Sequence, residues 1–421
     1  MTDSDRGAPD GNAAEPPVRL LLGSIHCHST WSDGTADPGE MMAIAGAVGL
    51  DFLAITDHVP AVKADHPPKR PAGDRSHGAA VLFPAQSAGV LRLPGLEFSP
   101  PHNHYLVLGL DPADAPDPTG LPGWPRPGAY MAFARRWPGT LGFLAHPDDP
   151  GNACLHLQSC RWDDWAVTDF TGMEVWSLSS EWSRSVRSYR DAVRAVAVGV
   201  HRAVPPPNPV TVARWDALAQ ERKVVGIAGT DAHASRARWH GVRVTVFPYE
   251  PAFGTLQTAV WARFPLDGSP EAKVSAILEA LGQGRAFMVN RVWGHPSGFV
   301  FRAGQAGPGG SAGVFSSGDT LPAGFPARFE VAVPIPCWLR LVRNGVPVAN
   351  TYGRELSFEP LEQATAAGPG APPPGPENGA VGRRQEAWRA EAWVNEPHWS
   401  KVGSGFFPWI FSNFIYRELP L

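Results

Sequence analysis

The sequence predicts an α/β fold followed by a small antiparallel β domain. Up to about residue 290, short apolar runs that are typical of buried strands alternate with helical stretches, which indicates a mostly parallel sheet or barrel. After Trp293 the chain changes to alternating apolar and polar residues, and the pair Asn344-Gly345 is typical of a β-hairpin. We therefore divide the chain into a disordered tail over 1–17, an α/β domain over 18–295 and a β domain over 296–421.

The first apolar run, residues 20–26, predicts a buried strand, and a helix start follows it. Asp37 can cap the helix, Pro38 suits its first position and Glu40 completes a capping box. Gly49 predicts the end of this helix. The later strands of the domain are predicted from short apolar runs at 50–58, 92–98, 105–110, 141–146, 172–176 and 224–229, and the later helices near 184–200, 211–221 and 271–283.

In the second domain, residues 302–313 are rich in glycine and predict a linker or long loop. Three alternating segments after it predict strands, and the hairpin pair lies within the second of them. Residues 364–380 are of low complexity and predict a mobile insertion.

The composition argues against several classes of partner. The net charge is −4 over 421 residues. We therefore expect the protein to bind neither nucleic acid nor an anionic membrane, because such binding usually needs a basic patch. The N-terminal segment lacks a basic start followed by an apolar run, so no signal peptide is expected. The sequence contains no run of about 18 apolar residues, so no transmembrane helix is expected. None of the four cysteines forms a CxxC pair, so we expect reduced thiols in a cytoplasmic protein.

Strand after strand in the first domain ends in side chains that can bind a metal. Neutral imidazole and carboxylate oxygen are ligands that Zn²⁺, Mn²⁺ and Fe²⁺ prefer. Residues two apart on a strand share a face, so Cys27, between two histidines, is expected to point away from them. Such side chains recur at five strand ends, which makes coincidence a poor explanation. They are His26 and His28, Asp57 and His58, Glu97, His146, and Asp231 and His233.

These segments resemble, in order, the motifs of the PHP (polymerase and histidinol phosphatase) metallohydrolase family. The resemblance rests on HCHSTWSDG, FLAITDH, LEF, HYLVLG, FLAHP and GTDAH, over residues 24–240. The late segments AILEALGQGRAFM, SGDTLP, LVRNG and PWIFSNFIY resemble the CehA/McbA-type branch, which is named for carbaryl hydrolases. The resemblance therefore extends over most of the chain.

The resemblance implies a distorted (β/α)7 TIM-like barrel that holds two or three divalent metal ions, Mn, Zn or Fe. Many family members have His where this chain has Asp33. The implied ligand sets are His26, His28, Glu97 and Asp231 for one metal, Asp33, His58 and His233 for a second, and Glu97, His104 and His146 for a third.

The implied activity is metal-dependent hydrolysis, in which a metal-bridging hydroxide attacks phosphorus or a carbonyl carbon. A phosphoesterase acting on phosphate mono- or diesters is the leading hypothesis, with a small anionic or aryl ester substrate. As candidates for proton transfer to the leaving group we name Asp33, His58 and His233, although metal ligands are poor proton donors. The sequence does not predict the oligomeric state.

Three other functions remain open at this point. The carbaryl-hydrolase resemblance allows a carbamate or carboxyl-ester hydrolase. A non-catalytic, metal-containing binding module is a second alternative, although its ligand set would be expected to have decayed. An amidohydrolase shares the HxH motif and the late aspartate, but it usually has a metal-bridging lysine that this sequence does not place.

Several residues beside the motifs have two interpretations each. Asp57 could orient a metal ligand or simply cap its turn. Glu174 lies at a strand end and could face the pocket. His104 abuts a strand and is preferred as a ligand to His102, which we expect to be exposed. The other residues in this group are His66 and His77, expected in solvent, Trp31, which could line the pocket, and Arg236, Arg238 and His240, which could bind an anion or only meet solvent.

Overall fold

The structure is a computed structural model of the 421-residue chain. It describes residues 16–59, 85–112, 118–155, 157–191, 204–239, 242–265, 267–307, 313–360, 385–395 and 405–420. Four of the sequence predictions lie wholly or largely outside these ranges: the tail up to residue 15, His66 and His77, His240, and the insertion over 364–380.

The first helix begins and ends as its sequence predicts. Asp37 Oδ1 accepts a hydrogen bond from the backbone N of Glu40 at 2.9 Å, and Gly49 ends the helix with φ 83°. Residues 192–200 of a second predicted helix lie outside the described ranges. The described helices are α1 (Pro38–Val48), α2 (Pro127–Ala134), α3 (Leu178–Ser185), α4 (Pro209–Glu221), α5 (Tyr249–Thr255) and α6 (Pro270–Gly282).

The strands fall into two series along the chain. The first series is β1 (Val18–Ile25), β2 (Phe52–Ala54), β3 (His58–Val59), β4 (Gln86–Ser87), β5 (Val90–Leu93), β6 (Gly95–Phe98), β7 (Tyr105–Leu108), β8 (Leu141–Leu144), β9 (Gly172–Ser177), β10 (Val225–Gly229), β11 (Ser235–Trp239), β12 (Val242–Val246), β13 (Leu256–Arg263) and β14 (Ala286–Asn290). The second series is β15 (Val300–Gln305), β16 (Phe315–Ser316), β17 (Thr320–Leu321), β18 (Ala327–Arg343), β19 (Val346–Phe358), β20 (Gln385–Asn395), β21 (Phe406–Ser412) and β22 (Ile415–Glu418).

The fold is mixed α/β, with two large sheets and one short strand pair. A 14-stranded sheet runs from β16 through β18, β20 and β21 to β14, β13, β1, β2, β5 and β4. A 6-stranded sheet has the order β10-β9-β8-β7-β6-β3. The two sheets meet beside β1, where the backbone N of Thr230 donates to the carbonyl of Ile25 at 3.0 Å. An isolated parallel bridge between Cys27 and Ala232 lies next to this bond.

The expectation of a mostly parallel sheet is wrong for part of the first domain. Strand β7 runs antiparallel to both β6 and β8, and β13 runs antiparallel to both β1 and β14. The single strand expected over 92–98 is two strands that belong to different sheets. Pro94 separates them, because proline has no N–H to give to a ladder of backbone hydrogen bonds.

The predicted hairpin of the second domain is confirmed. Strands β18 and β19 pair antiparallel on either side of Asn344 and Gly345, whose φ angles of 51° and 79° suit a two-residue turn. One sheet includes strands from both sides of the predicted boundary at 295/296, because β21 pairs with β14. The division of the chain at 295/296 stays a prediction. No helix among the described residues is long and apolar enough to cross a lipid bilayer.

Candidate metal centre

One edge of the 6-stranded sheet and the adjoining end of β1 gather the side chains that the sequence singled out. His26 and His28 follow β1, His146 follows β8, and Asp231 follows β10. His104 precedes β7 instead, and the antiparallel direction of β7 brings its start to the edge where its neighbours end, since Tyr105 pairs with Phe98 and Leu144. All nine predicted ligands therefore reach one place.

Three of these residues have backbone angles in the left-handed region. The φ angles are 67° at His26, 26° at His146 and 48° at Asp231. Residues other than glycine rarely adopt such angles, which cost about 1 to 3 kcal/mol each and cluster at functional sites. At His26 and Asp231 the main chain is held by a hydrogen bond of 2.7 Å from the Asp231 N to the His26 carbonyl. The alternation of a regular strand thus does not explain how His26 is oriented.

The donor atoms form three groups that are each close enough to hold a metal ion. In every group the donor atoms lie within 4.8 Å of one another. The groups are His26, His28 and Asp231; His28, Asp33, His58 and His233; and His26, Glu97 and His146. His104 belongs to none of the three but contacts Glu97, with Nδ1 at 3.1 Å from Oε1.

Glu97 lies at the centre of the arrangement and is fully buried. Its Oε1 lies 3.4 Å from His26 Nε2 and 3.5 Å from His146 Nε2, and its Oε2 lies 2.7 Å from His58 Nδ1. A carboxylate in contact with histidines of several strands has the position expected of a bridging ligand. The sequence-implied ligand sets agree with this in giving Glu97 to two metals.

Hydrogen bonds on the outer side of the rings fix which nitrogen faces inward. His26 Nδ1 donates to Glu174 Oε2 at 3.1 Å, and His233 Nδ1 donates to the Asp231 carbonyl at 3.0 Å. His58 Nδ1 lies 2.6 Å from Ser99 Oγ. In His26 and His233 Nε2 is left facing the other ligands, whereas in His58 both nitrogens face ligands, because its Nδ1 also contacts Glu97. Such outer contacts orient metal-binding histidines and set their tautomer.

Glu174 is not among the predicted ligands, but it holds two of them in place. Its Oε2 also accepts a hydrogen bond from the backbone N of His146 at 2.8 Å, so one carboxylate oxygen holds two candidate ligands. The pairing of β9 with β10 shifts register between Ile227 and Ala228, next to this position, and such bulges re-aim side chains near active sites. A Cβ on Gly229 would lie 2.0 Å from Glu174 Oε1, so only glycine leaves room there.

Asp57 organises the loop that carries Asp33 and touches no histidine in the described hydrogen bonds. Its Oδ1 accepts from the backbone N of Ser29 at 2.7 Å and from Ser32 Oγ at 2.6 Å, and its Oδ2 accepts from Ser29 Oγ at 2.7 Å. These partners lie 25 to 28 residues earlier in the chain, so Asp57 does not cap its own turn, and it contacts no ligand directly among the described residues. The loop in turn places Asp33 Oδ1 at 3.1 Å from His233 Nε2.

Tyr249, at the start of α5, closes the same loop from the other side and was not found from the sequence. Its hydroxyl donates to the carbonyl of His28 at 2.8 Å and accepts from the backbone N of Thr35 at 2.9 Å. A Cβ on Gly34 would lie 2.6 Å from this hydroxyl and 2.0 Å from the His28 carbonyl oxygen, which explains the glycine after Asp33. No local signal in the sequence links Tyr249 to a loop more than 200 residues earlier.

The charges of the cluster move the pKa values of its members in opposite directions. Burial lowers the pKa of His233, but its contact with Asp33 and the charge of Asp231 raise it to about 9. Burial also lowers the pKa of His146, and Glu97 and Asp231 raise it to about 9. By contrast, burial together with the neighbouring His233 and His58 lowers the pKa of His28 to about 3.

The carboxylates respond in the complementary way. Burial alone would raise the pKa of Glu97, but His104, His26 and His58 hold it well below its ordinary value. The pKa of Asp231 is likewise held well below its ordinary value, since His26 and His28 outweigh the effect of burial. The site therefore holds a dense set of negative oxygens that is compensated by positive charge.

A divalent metal suits this donor set. Among the described residues, the buried side-chain atoms without a well-directed hydrogen bond include His26 Nε2, His28 Nε2 and Asp33 Oδ1, the last of which lies 3.1 Å from His233 Nε2. Buried polar atoms are otherwise almost always hydrogen-bonded. All three face the cluster, and a cation would satisfy them together with the central carboxylates.

The remaining predictions for this region have mixed outcomes. Cys27 is buried and its thiol donates to the carbonyl of Ala54 at 3.4 Å, away from the histidines. His102 is exposed, as expected, and Arg236 is exposed as well. Trp31 is half-buried, with its backbone N donating to Ser29 Oγ at 3.1 Å. The side chain of Arg238 lies outside the described part of the chain.

Comparisons with known proteins give distant similarities only. No family model and no curated protein matches the chain. A solved structure of a two-domain protein containing a predicted PHP-like metal-dependent phosphoesterase, from Bacteroides vulgatus, is 13% identical and has a TM-score of 0.40, over 97% of this chain and 100% of that one. A proposed metal-dependent phosphoesterase from Bifidobacterium adolescentis is 18% identical with a TM-score of 0.29, over 55% of this chain and 94% of that one.

An amidohydrolase from Chromobacterium violaceum, solved with sulfate and without metal, is 17% identical with a TM-score of 0.27, over 54% of this chain and 92% of that one. All three TM-scores lie below 0.5, so we take no functional conclusion from these similarities.

Proposed function

We propose that this protein is a metal-dependent hydrolase of the PHP type, and that it hydrolyses phosphate mono- or diesters. The observation that carries the proposal is the convergence of six histidines and three carboxylates at one edge of the fold, with buried donor atoms that face one another and lack well-directed hydrogen bonds. The sequence motifs that supply these residues resemble the PHP family in order and type, including its CehA/McbA-type branch. Under this proposal the strands around the site correspond to a distorted (β/α)7 barrel, and the protein is cytoplasmic.

We assign the nine predicted ligands to two or three divalent ions, Mn, Zn or Fe. When bound, such ions acidify a water molecule and polarise the ester that it attacks. The three distance groups overlap at His26 and His28, so the ions would lie next to one another. Because one imidazole nitrogen holds one ion, both histidines are assigned to a single ion, and Glu97 is the ligand that two ions share. The distance groups are His26, His28 and Asp231; His28, Asp33, His58 and His233; and His26, Glu97 and His146, with His104 beside Glu97.

The exposure of the ligands supports the direction from which a substrate would enter. The side chains of Asp33 and His233 are 26% and 20% exposed, whereas those of His26, His28 and Glu97 are fully buried. Substrate would therefore meet the Asp33 side of the cluster first. For this reason we assign the transfer of a proton to the leaving group to this side of the cluster, where Asp33, His58 and His233 lie. The Asp33 oxygen that holds no ion is the best-placed atom, because Nδ1 of His58 and Nδ1 of His233 already have hydrogen-bond partners.

The first test is metal binding by the purified protein. After loading with Mn²⁺ or Zn²⁺ and dialysis, elemental analysis should give at least one equivalent per chain, and His28→Ala and Asp231→Ala should each reduce the bound amount. His102→Ala is the matched control, because His102 is an exposed histidine close to His104 but outside the cluster. Less than one equivalent in the unaltered protein rejects the site.

The second test is a substrate panel with and without the metal. It compares aryl phosphate monoesters, bis-aryl phosphodiesters, nucleotides, and naphthyl carbamates and esters. Turnover of a phosphate ester that His28→Ala abolishes and His102→Ala retains supports the proposal. Turnover of carbamates or carboxyl esters alone replaces it with the carbaryl-hydrolase alternative. Metal binding without any turnover supports the non-catalytic binding module.

A further inference from the structure

Strand β10 has a strand partner on one edge and side chains on the other. It pairs with β9 in parallel, with Val225 opposite Gly172. In the sheet order it is the last strand, so among the described residues no strand pairs with its second edge. Because N–H and C=O groups alternate between the edges of a strand, Val224, Gly226 and Ala228 direct theirs to this second edge.

Three buried side chains bond these backbone groups in pairs. The Tyr416 hydroxyl accepts from the Val224 N at 3.0 Å and donates to the Val224 carbonyl at 3.3 Å. The Asn413 amide accepts from the Gly226 N at 2.7 Å and donates to the Gly226 carbonyl at 2.9 Å.

The hydroxyl of Thr258 continues the series. It accepts from the Ala228 N at 2.9 Å and donates to the Ala228 carbonyl at 2.8 Å. We call Tyr416, Asn413 and Thr258 the side-chain ladder. All three are nearly inaccessible to solvent, with exposed fractions of 3%, 2% and 0%.

The ladder ends where the candidate metal centre begins. Beyond Ala228, the next backbone group on this edge is the Thr230 N, which donates to the Ile25 carbonyl, and the Asp231 N then donates to the His26 carbonyl. Every second residue from Val224 to Thr230 is therefore bonded at this edge. The register of the strand sets where Asp231 and His233 lie.

We propose that Asn413 and Tyr416 of the C-terminal β region, with Thr258, are positioning residues for the metal centre: they take the place of a neighbouring strand along β10 and hold Asp231 and His233 at metal-binding distance. Two of the three come from the C-terminal region, so that region helps to hold the metal ligands in position. The proposal rests on the metal site proposed above.

Physical chemistry explains why side chains fix the strand well. A slip of β10 by one residue would move its side chains to the opposite faces of the sheet and bring a larger residue to the place of Gly226, where a Cβ would lie 2.5 Å from the Trp215 ring. A displacement that breaks the ladder bonds would leave buried backbone groups without partners. Each ladder side chain is itself anchored: Asn413 also donates to the Ala286 carbonyl at 3.0 Å, and Thr258 belongs to β13. Few alternative positions of the strand satisfy the same bonds.

The test uses variants that remove single polar groups. Thr258→Val and Tyr416→Phe each delete one hydroxyl with almost no change of volume, and Asn413→Ala deletes the amide. Thr258→Ser is the conservative variant, because it keeps the hydroxyl. Tyr352→Phe is the matched control, since Tyr352 lies on β19 in the same C-terminal region and is 55% exposed.

Two quantities are measured in the full-length protein: the affinity for Mn²⁺ by titration calorimetry, and amide hydrogen exchange by mass spectrometry without metal. We expect Thr258→Val and Asn413→Ala to weaken Mn²⁺ binding by about tenfold, the effect typical of residues that orient metal ligands. Exchange should accelerate in peptides over 224–231 and stay unchanged over 141–146. Thr258→Ser and Tyr352→Phe should leave both quantities as they are.

The outcomes separate this inference from the proposed function. If the unaltered protein binds no Mn²⁺, the metal site is rejected, and hydrogen exchange still decides whether the ladder holds β10. If it binds Mn²⁺ and the ladder variants bind it equally well, the positioning role is wrong. Should Asn413→Ala not fold, the two hydroxyl variants give the answer.

Discussion

At the scale of single residues, the candidate centre depends on which nitrogen of each imidazole carries the proton. Glu174 accepts from His26 Nδ1 at 3.1 Å, so Nε2, which faces Asp231 and Glu97 at 3.4 Å, is the nitrogen that can bind an ion once it loses its proton. The sequence indicates that Glu174 could face a pocket, since it lies at a strand end. It does not indicate that the carboxylate binds a histidine 148 residues away, because that pairing depends on how strands β1 and β9 are placed.

Glu174→Gln should weaken metal binding while leaving the fold intact. A glutamine oxygen can still accept from His26 Nδ1 and from the His146 N, but it lacks the negative charge that makes His26 a stronger metal ligand. We expect the affinity for Mn²⁺ to fall by about tenfold or more, with little change in thermal stability. Glu181→Gln is the control, because Glu181 is also buried but pairs with Arg184 on α3. Equal affinities of the two variants would contradict this role of the Glu174 charge.

The pKa shifts of the histidines predict a pH dependence with a definite sign. In the absence of metal, the pKa values of His104, His146 and His233 are each raised to about 9, against an ordinary value of 6.5, mainly by the nearby carboxylates that outweigh burial. At neutral pH these rings hold protons that a metal must displace. Metal affinity should therefore rise as the pH rises towards 9, and binding should release protons.

Titration calorimetry in two buffers that differ in ionisation enthalpy, at pH 7.5, measures this release, and heats that do not depend on the buffer would contradict it.

The same pKa shifts predict how the stability of the metal-free protein depends on pH. Because the folded pKa is the higher one, these groups stabilise the metal-free protein fully below pH 6.5, and their contribution is lost as the pH rises through about 9. Thermal unfolding of the metal-free protein should show that loss, and bound metal should remove it.

At the scale of elements, the sequence predicts what apolar runs and caps determine and no more. Helix α1 begins at the predicted cap because Asp37 and Glu40 are neighbours in the chain, and the turn at Asn344 and Gly345 is equally local. The direction of β7 has no such signal, since a run of apolar residues reads the same in a parallel and an antiparallel strand. His104 joins the site only because that direction is reversed.

The same limit explains which parts of the site the sequence misses. The candidate metal ligands can be recognised in the sequence, because His, Asp and Glu recur at the ends of the predicted strands. Tyr249, Ser99 and Asn413 are ordinary polar residues whose partners are set by tertiary contacts, as in the bond of Asn413 to Gly226 across 187 residues. Residues that hold a site in place thus need the structure, whereas residues that bind the metal can be proposed from sequence patterns.

At the scale of the whole molecule, a buried ion pair links the α/β part to the C-terminal strands. Arg389 on β20 donates from Nε to Asp216 Oδ1 at 2.7 Å and from Nη2 to Oδ2 at 2.9 Å, and Asp216 belongs to α4. Glu391 contacts the same guanidinium. The exposed fractions of the Arg389 and Asp216 side chains are only 3% and 5%. Together with the ladder on β10, this pair connects the two parts of the chain through polar groups.

Asp216→Ala should destabilise the protein by about 3 to 5 kcal/mol, because it leaves a buried guanidinium without its two-point partner. The measurement is the free energy of unfolding in urea. The control is Glu330→Ala, which removes an ion pair with Arg302 whose side chains are 52% and 37% exposed, and it should cost at most about 1 kcal/mol.

The double variant Asp216→Ala, Arg389→Met decides between two reasons for that loss. A buried ion pair costs desolvation energy that its attraction only partly returns, so replacing both charges with apolar groups is often neutral or stabilising. If Asp216→Ala destabilises because the guanidinium keeps only Glu391 as a partner, adding Arg389→Met should restore most of the stability, since Glu391 still pairs with Arg340 at 3.1 Å. If the double variant is as unstable as the single one, packing of α4 against β20 supports the link, and charge does not. Because Asp216 lies on the helix that leads into β10, the same variants should show whether the joint between the two parts also affects metal affinity.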